Sequence, residues 1–490
     1  AGGDLHAAQL RVLPNGVQDI AGNLMENTIS LTLIETPDTI MPGVESGIVD
    51  FTTGTVTIFV NETVDTTPVG VIDLTKISFV GSGKNIAMTG ATVEAVDNIH
   101  FKFEMLELTR VQTIVNSNTP GGDGTAQTIT LLAGSIRDIG LNLLPVDNTL
   151  IALTEIADTG KPVITEVALN YSTGVMTITA NETIDGNPTS LLNLSKVFLS
   201  DTSGAHGIVL TGAEFNAQES LTVTITLTEL QRVAAIPISG TKGGDNTAIV
   251  ADFNAQAFQD IGMNELDTIF GVPVLETEDS VIPVVFNATV NYSTGILLIS
   301  TSETIDMTPA SNVNLSKIFL SNSSSSLTIP LTGATIYETD GLVITVGLTA
   351  LQRAAAIALS NTPGGDGTSL LFEIEANALR DVAGNFNNDH FGLFLLENED
   401  VVPPIVLNAV IDYNDGTLIV NNTDIIDSTP VSRVIVNRFR FKNASDSNDF
   451  INLDGAIVTA ADDSLLTLVL TEEDRALSIQ FSGTSGGDPT

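Results

Sequence analysis

VFNATVNYSTGILLISTSETID (residues 285–306) alternates apolar and polar side chains on both sides of YSTG. A period of two sends alternate residues to opposite faces of a strand, and Gly295 supplies the positive φ that a tight turn requires. The stretch predicts a β-hairpin, and the chain repeats its turn as FTTG ending at Gly54, YSTG at Gly174 and YNDG at Gly416. Outward from the hairpin, LVITVGL (342–348) alternates again, and TALQRAAAIAL (349–359) changes to a helical pattern. SLLFEIEA (369–376) and FGLFLLE (391–397) then read as strands, with RDVAGN (380–385) as the turn between them. Many short strands broken by frequent turn residues describe an antiparallel β-sandwich, so the predicted class is all-β.

A second marker sets the period. SNTPGGDGT at 117–125 recurs at 360–368, with SGTKGGDNT at 239–247, SGTSGGDPT at 482–490 and a shortened AGGDLHA at 1–7. Gly-Gly-Asp starts at 2, 121, 243, 364 and 486, intervals of 119, 122, 121 and 122 residues. This internal repeat of about 121 residues divides the chain into an incomplete sandwich at 1–36, repeats at 37–157, 158–278 and 279–399, and a second incomplete sandwich at 400–490. A full unit of that size can bury its own core. One helical turn is expected in each unit, because Thr109 with Gln112, Thr228 with Gln231 and Thr349 with Gln352 have capping-box spacing, and Thr471 with Asp474 is a looser version. The junctions ETPDTIMP, EIADTGKP, ETEDSVIP and ENEDVVPP are short and contain Pro, so the repeats are expected to form a semi-rigid rod.

Of 490 residues, 43% are hydrophobic and 16% charged, a balance that folds. Fifty-nine acidic residues face 18 basic ones, for a formal charge of −41. Such a surface repels phosphate backbones and anionic lipid and attracts divalent cations, so nucleic acid is not an expected partner. There is no Cys, hence no disulfide or thiolate site. Without a run of 18 apolar residues, no membrane-spanning segment is expected.

Aligned, the units share an opening Pro, a strand ending in NETVD, NETID or SETID, and a closing QDIAGN or RDVAGN. This order resembles the bacterial Ig-like repeats of surface-layer proteins and large adhesins, across all four periods. The lack of Trp and Cys sets the chain apart from antibody domains. The resemblance implies an extracellular or cell-surface, load-bearing or adhesive role without catalysis.

The residues offer two kinds of site. Each junction pairs a Glu with an Asp three residues on: Glu35/Asp38, Glu155/Asp158, Glu276/Asp279 and Glu397/Asp400. Hard oxygens converging between two domains suit calcium, the one cofactor candidate, whereas a solvated acidic linker without any cofactor has the same sequence; two carboxylates do not fill a shell of six to eight oxygens. Asn-x-Ser/Thr sequons at Asn61, Asn170, Asn181, Asn193, Asn287, Asn291, Asn314, Asn322, Asn421 and Asn443 are candidate sites for N-linked glycans. Other recurring acids read as architecture. Asp and Asn four residues apart at Asp19/Asn23, Asp138/Asn142, Asp260/Asn264 and Asp381/Asn385 close backbone turns. Glu62/Asp65, Glu182/Asp185 and Glu303/Asp306 have a glycosidase-like pairing, but an enzyme seldom needs one active site in every repeat. His6, His100, His206 and His390 share no repeat position, and no catalytic residue is expected.

The stretches 1–36 and 400–490 read as parts of incomplete sandwiches, and on one of two readings they are complementary. Two arrangements follow: the sequence is a window on a longer array, or each copy donates its missing strands to the next in a head-to-tail homopolymer. The expected function is a structural subunit of an extracellular, N-glycosylated filament. The alternative is the stalk of a large adhesin or surface-layer protein.

Overall fold

A computed structural model describes residues 7–81, 84–117, 120–122, 127–145, 149–204, 207–240, 243–244, 249–322, 326–362, 364–365, 370–442, 449–484 and 486–487. The Asp of every Gly-Gly-Asp loop, His6, His206 and Asn443 lie outside them. The chain forms two compact units: Ala1–Gly240 with Asn246–Thr277, and Thr241–Asp245 with Glu278–Thr490.

The first unit shows how a repeat is built. Its strands are β1 (Val44–Asp50), β2 (Thr55–Val64), β3 (Ile77–Gly81), β4 (Lys84–Ala87), β5 (Thr92–Val93), β6 (Asn98–Glu104), β7 (Thr128–Leu131) and β8 (Thr149–Ile156), with helix α1 (Glu107–Ser117) between β6 and β7. They pair in the order β4-β3-β7-β8-β1-β2-β6-β5. β1 and β2 are the predicted hairpin, with Gly54 at φ 68°. Their alternation buries Val56, Ile58 and Val60 on one face. β8 changes partner half-way: Thr149–Ala152 pair antiparallel with β7, and Leu153–Ile156 pair parallel with β1 in the register Leu153 to Gly47. That switch closes two layers over a core of Phe51, Ile58, Phe79, Phe101, Ile129 and Leu153, to which α1 adds Ile114.

The eight-stranded order recurs from Ile164 to Thr277 in the first unit and from Val285 to Asn398 in the second. Helices α2 (Glu229–Ser239), α3 (Ala350–Ser360) and α4 (Glu472–Ser482) occupy the place of α1. The fold is therefore all-β, in tandem sandwiches, with one parallel strand pair in each complete repeat. At the chain's two ends the pattern is divided. Gln9–Val12 pairs with Ile29–Thr32, the counterpart of β7-β8. Beyond residue 400 stand the counterparts of β1-β2-β6-β5 and of β3-β4.

The capping boxes form at Thr228/Gln231 and Thr349/Gln352, and Thr471 accepts from the Asp474 amide. The Thr109/Gln112 box does not form. Thr109 lies buried inside α1, which starts at Glu107, because Arg110 aligns with Arg232 and places Thr109 where Gln231 stands.

Candidate inter-repeat joint

Each capped helix presents one arginine at a fixed phase. In α2 and α3 the capping glutamine also donates two bonds to the preceding loop, from Gln231 Nε2 to the carbonyls of Val209 and Thr211 and from Gln352 Nε2 to those of Pro330 and Thr332. The first turn is thereby fixed, and the next residue donates to its own repeat's hairpin: Arg232 to Tyr171 O at 3.1 Å and Arg353 to Tyr292 O at 2.8 Å. Arg110 makes the same bond to Phe51 O at 2.9 Å and is held on its other side by both oxygens of Glu107, at 2.6 and 2.9 Å.

From there Arg110 reaches into the following repeat. Nη1 donates to Asp158 Oδ2 at 2.7 Å and Nη2 to Glu182 Oε2 at 3.1 Å, in an environment where the Arg side chain is 6% exposed and the Asp side chain 0%. Glu107 accepts from the Thr183 amide at 2.9 Å, so both members of the helix pair hold the next repeat. In the second unit Arg353 pairs with Asp424, the counterpart of Glu182, and lies 3.7 Å from Asp400.

The Gly-Gly loops that mark the period serve the same joint. Gly121 O, Gly243 O and Gly364 O each accept from the linker Asp amide, of Asp158, Asp279 and Asp400, at 2.8 Å. Both glycines have positive φ, 74° and 83° at Gly121 and Gly122, and a Cβ on Gly122 would stand 2.6 Å from the Phe51 ring. No other residue type meets both demands without strain.

The linker Asp then meets two acids from motifs that are far apart in sequence. Asp38, Glu62 and Asp138 form one cluster, Asp158, Glu182 and Asp260 a second, and Asp279, Glu303 and Asp381 a third, with one carboxylate oxygen from each residue lying within 4.8 Å of the others. The turn carrying the third acid is braced by its Asn: Asn264 donates to Asp260 Oδ2 at 3.0 Å and to the Asp158 carbonyl at 3.2 Å. Gly140 and Gly262 let the linker approach, since a Cβ would meet Asp38 Oδ2 at 2.7 Å and Asp158 Cβ at 3.1 Å. Leu141 and Met263 consequently hold the positive φ (70° and 65°) that Gly384 takes at 98° in the third repeat.

Crowding shifts the titration of these groups. Burial, then Asp260, raises Glu182 from 4.5 to about 7 against the pull of Arg110. Burial likewise raises Asp260 from 3.8 to about 6, and raises Asp381. Glu62 is raised by desolvation and by Asp38 and Asp138. For Glu107 the desolvation is outweighed by Arg110, and the group is lowered.

The linker glutamates lie outside these clusters. Glu155 accepts from Ser117 Oγ and the Gln127 amide, Glu276 from Tyr171 and Ser239, Glu397 from Tyr292 and the Leu370 amide, and Glu35 from the Ala8 amide. They close their own sandwiches. Among the described sequons, Asn61, Asn181, Asn193, Asn287 and Asn314 are exposed, and Asn170, Asn291, Asn322 and Asn421 are partly exposed. Asn193 and Asn314 cap short 3-10 turns through Oδ1, and a glycan would attach at Nδ2. Asp65 and Asp306 are engaged by Arg137 and Arg380.

The arginines carry the joint, and none of them belongs to the acidic or sequon motifs. The available signal was their phase, at 110, 232, 353 and 475, in a chain with 18 basic residues.

No protein-family model matches this sequence, and no curated protein does. Among solved structures, the chain is similar to the N-terminal part of the bacterial S-layer protein SbsC at 14% identity and TM-score 0.17, covering 49% of this chain and 45% of that one. The longer SbsC structure, rSbsC(31-844), gives 11% and 0.17 over 89% and 63%. The four N-terminal Ig domains of a Dscam1 isoform give 8% and 0.14 over 89% and 94%. The chain thus spans less than two thirds of the S-layer chains it matches.

Proposed function

We propose that this chain is a structural component of a cell-surface assembly, in which Ig-like repeats are joined head to tail in an extracellular, N-glycosylated filament. The observation that carries the reading is the Arg110 clasp. An arginine placed by one repeat is buried against Asp158 and Glu182 of the next, an investment in inter-repeat geometry that independent binding modules would not need.

Strand donation is the proposed means of joining copies. Val406 is 59% exposed, whereas its counterpart Val285 is 2% exposed in the core of its repeat. Leu33 is 42% exposed and its counterpart Leu153 is 4%. Transferring the internal register would pair Leu33 with Ala409, so the hairpin of one copy fits the open sandwich of another. The alternative, the stalk of an adhesin or surface-layer protein, uses the same joints within one longer chain.

Intact mass of native material under denaturing conditions, before and after glycan removal, separates the two. A deglycosylated mass near 51.3 kDa, with polymers that disappear when residues 1–36 are deleted, supports strand donation. A much heavier chain, or polymers unaffected by the deletion, overturns it.

A further inference from the structure

The third carboxylate cluster holds a feature that the other two lack. Asp381 is 2% exposed and its Oδ1 accepts from the Asn385 amide at 2.8 Å, but its Oδ2 is buried with no hydrogen-bond donor among the described residues. In the first and second clusters the corresponding oxygens accept from Asn142 and Asn264, each at 3.0 Å. Asn385 Nδ2 is turned to the Asp279 carbonyl at 3.2 Å. A carboxylate oxygen removed from water without a donor is costly, and here it lies beside two further acids, Asp279 and Glu303, which are 5% and 7% exposed.

We propose that Asp279, Glu303 and Asp381 bind a divalent cation, calcium, with Asp381 Oδ2 as a direct ligand. The donors are all hard oxygens and include no His or Cys, which selects against zinc and copper. Their mutual spacing, within 4.8 Å, is spanned by a calcium shell of radius about 2.4 Å. Three carboxylates, one of them able to bind through both oxygens, supply three or four positions, and water fills the rest. The bound ion ties three segments of one repeat: the entering linker at Asp279, the end of the second strand at Glu303, and the turn before the last strand at Asp381. The ligand set replaces the junction Glu–Asp pair with one junction Asp and two acids from elsewhere in the repeat. Because the first and second clusters have that oxygen satisfied, they bind more weakly.

The test uses the full 490-residue chain, stripped with chelator and titrated with CaCl2 and, separately, MgCl2 in a calorimeter, alongside Asp381→Asn and Glu303→Gln. The expected result is one saturable calcium site of highest affinity, weakened at least tenfold in both variants, with magnesium binding more weakly. Calcium should also raise the melting temperature of the wild-type chain more than that of either variant. Circular dichroism confirms that each variant is folded, and the two substitutions lie on different segments, so misfolding of one leaves the other to decide. No saturable binding, or isotherms unchanged in a folded variant, would overturn the assignment. Magnesium binding as tight as calcium would overturn the choice of ion.

Discussion

Arg110 and Arg475 occupy the same position in their repeats and differ in the partners that the described residues give them. Both are gripped by the Glu three residues earlier and donate to the hairpin carbonyl of their own repeat, Phe51 O at 2.9 Å and Tyr413 O at 2.6 Å. Arg110 adds Asp158 and Glu182 and is 6% exposed, whereas Arg475 is 26% exposed and its partner Glu472 76%. The repeat itself therefore orients the guanidinium before any neighbour arrives. The neighbour contributes the carboxylates and the burial, which spares the joint much of the ordering cost of a long side chain.

The most severe way to break this comparison is Arg110→Met. It leaves Asp158 and Glu182 buried without their cation, a loss of about 3–5 kcal/mol for a broken buried pair. Urea unfolding of the first two repeats should shift to lower denaturant, and a shift equal to that of a surface substitution would refute the clasp. Next in size is Gly122→Ala, which combines a strained φ of 83° with a Cβ 2.6 Å from the Phe51 ring, about 2–4 kcal/mol together. Gly486→Ala, at φ 84° with nothing among the described residues within 4 Å of the added Cβ, should show the backbone strain alone, about 1 kcal/mol. Equal effects at the two glycines would mean that ring packing contributes nothing.

Much of this architecture was legible in the sequence because it is local. Alternation around YSTG gave the hairpins, Gly-Gly-Asp gave the period, and Thr349 with Gln352 gave the helix start. What failed to show was non-local. The parallel pairing of Leu153 with Gly47 joins the last strand to the first, across about a hundred residues, and leaves no periodic trace. Asp158, Glu182 and Asp260 belong to three separate motifs, linker, strand end and turn, and only the closed sandwich brings them together. Thr109 has capping-box spacing to Gln112 yet lies inside α1, because Arg110 and not the spacing fixes the helix register.

A pH series sharpens the comparison without changing the helix. Glu182 and Asp260 titrate at about 7 and about 6 in the folded chain, above their ordinary values of 4.5 and 3.8. The folded state then binds more protons than the unfolded one between those limits, so this contribution to stability is present below about pH 4 and is lost as pH rises toward 7. Glu107 shifts the other way, but its effect falls below its ordinary value of 4.5 and leaves the upper window to the other two. The stability of the first two repeats should fall between pH 4.5 and 7, by about a few kcal/mol at most, and the melting temperature should fall with it. Glu182→Gln should flatten the slope, and an unchanged slope would remove Glu182 as its source.

Arg475→Met should have the smallest effect. Its pair with Glu472 is water-exposed and its other bond among the described residues is to the Tyr413 carbonyl, so removing the guanidinium strands no buried carboxylate among them. The expected outcome for the monomeric chain is a melting curve that overlays the wild type, while Arg110→Met displaces it strongly. If the two substitutions cost the same, the bonds each arginine makes within its own repeat account for the whole effect, and Asp158 and Glu182 merely border the clasp. If Arg475→Met is silent in the monomer but lowers the midpoint for self-association, then the guanidinium oriented by α4 is an unfilled version of the Arg110 joint, completed by acids from a second copy.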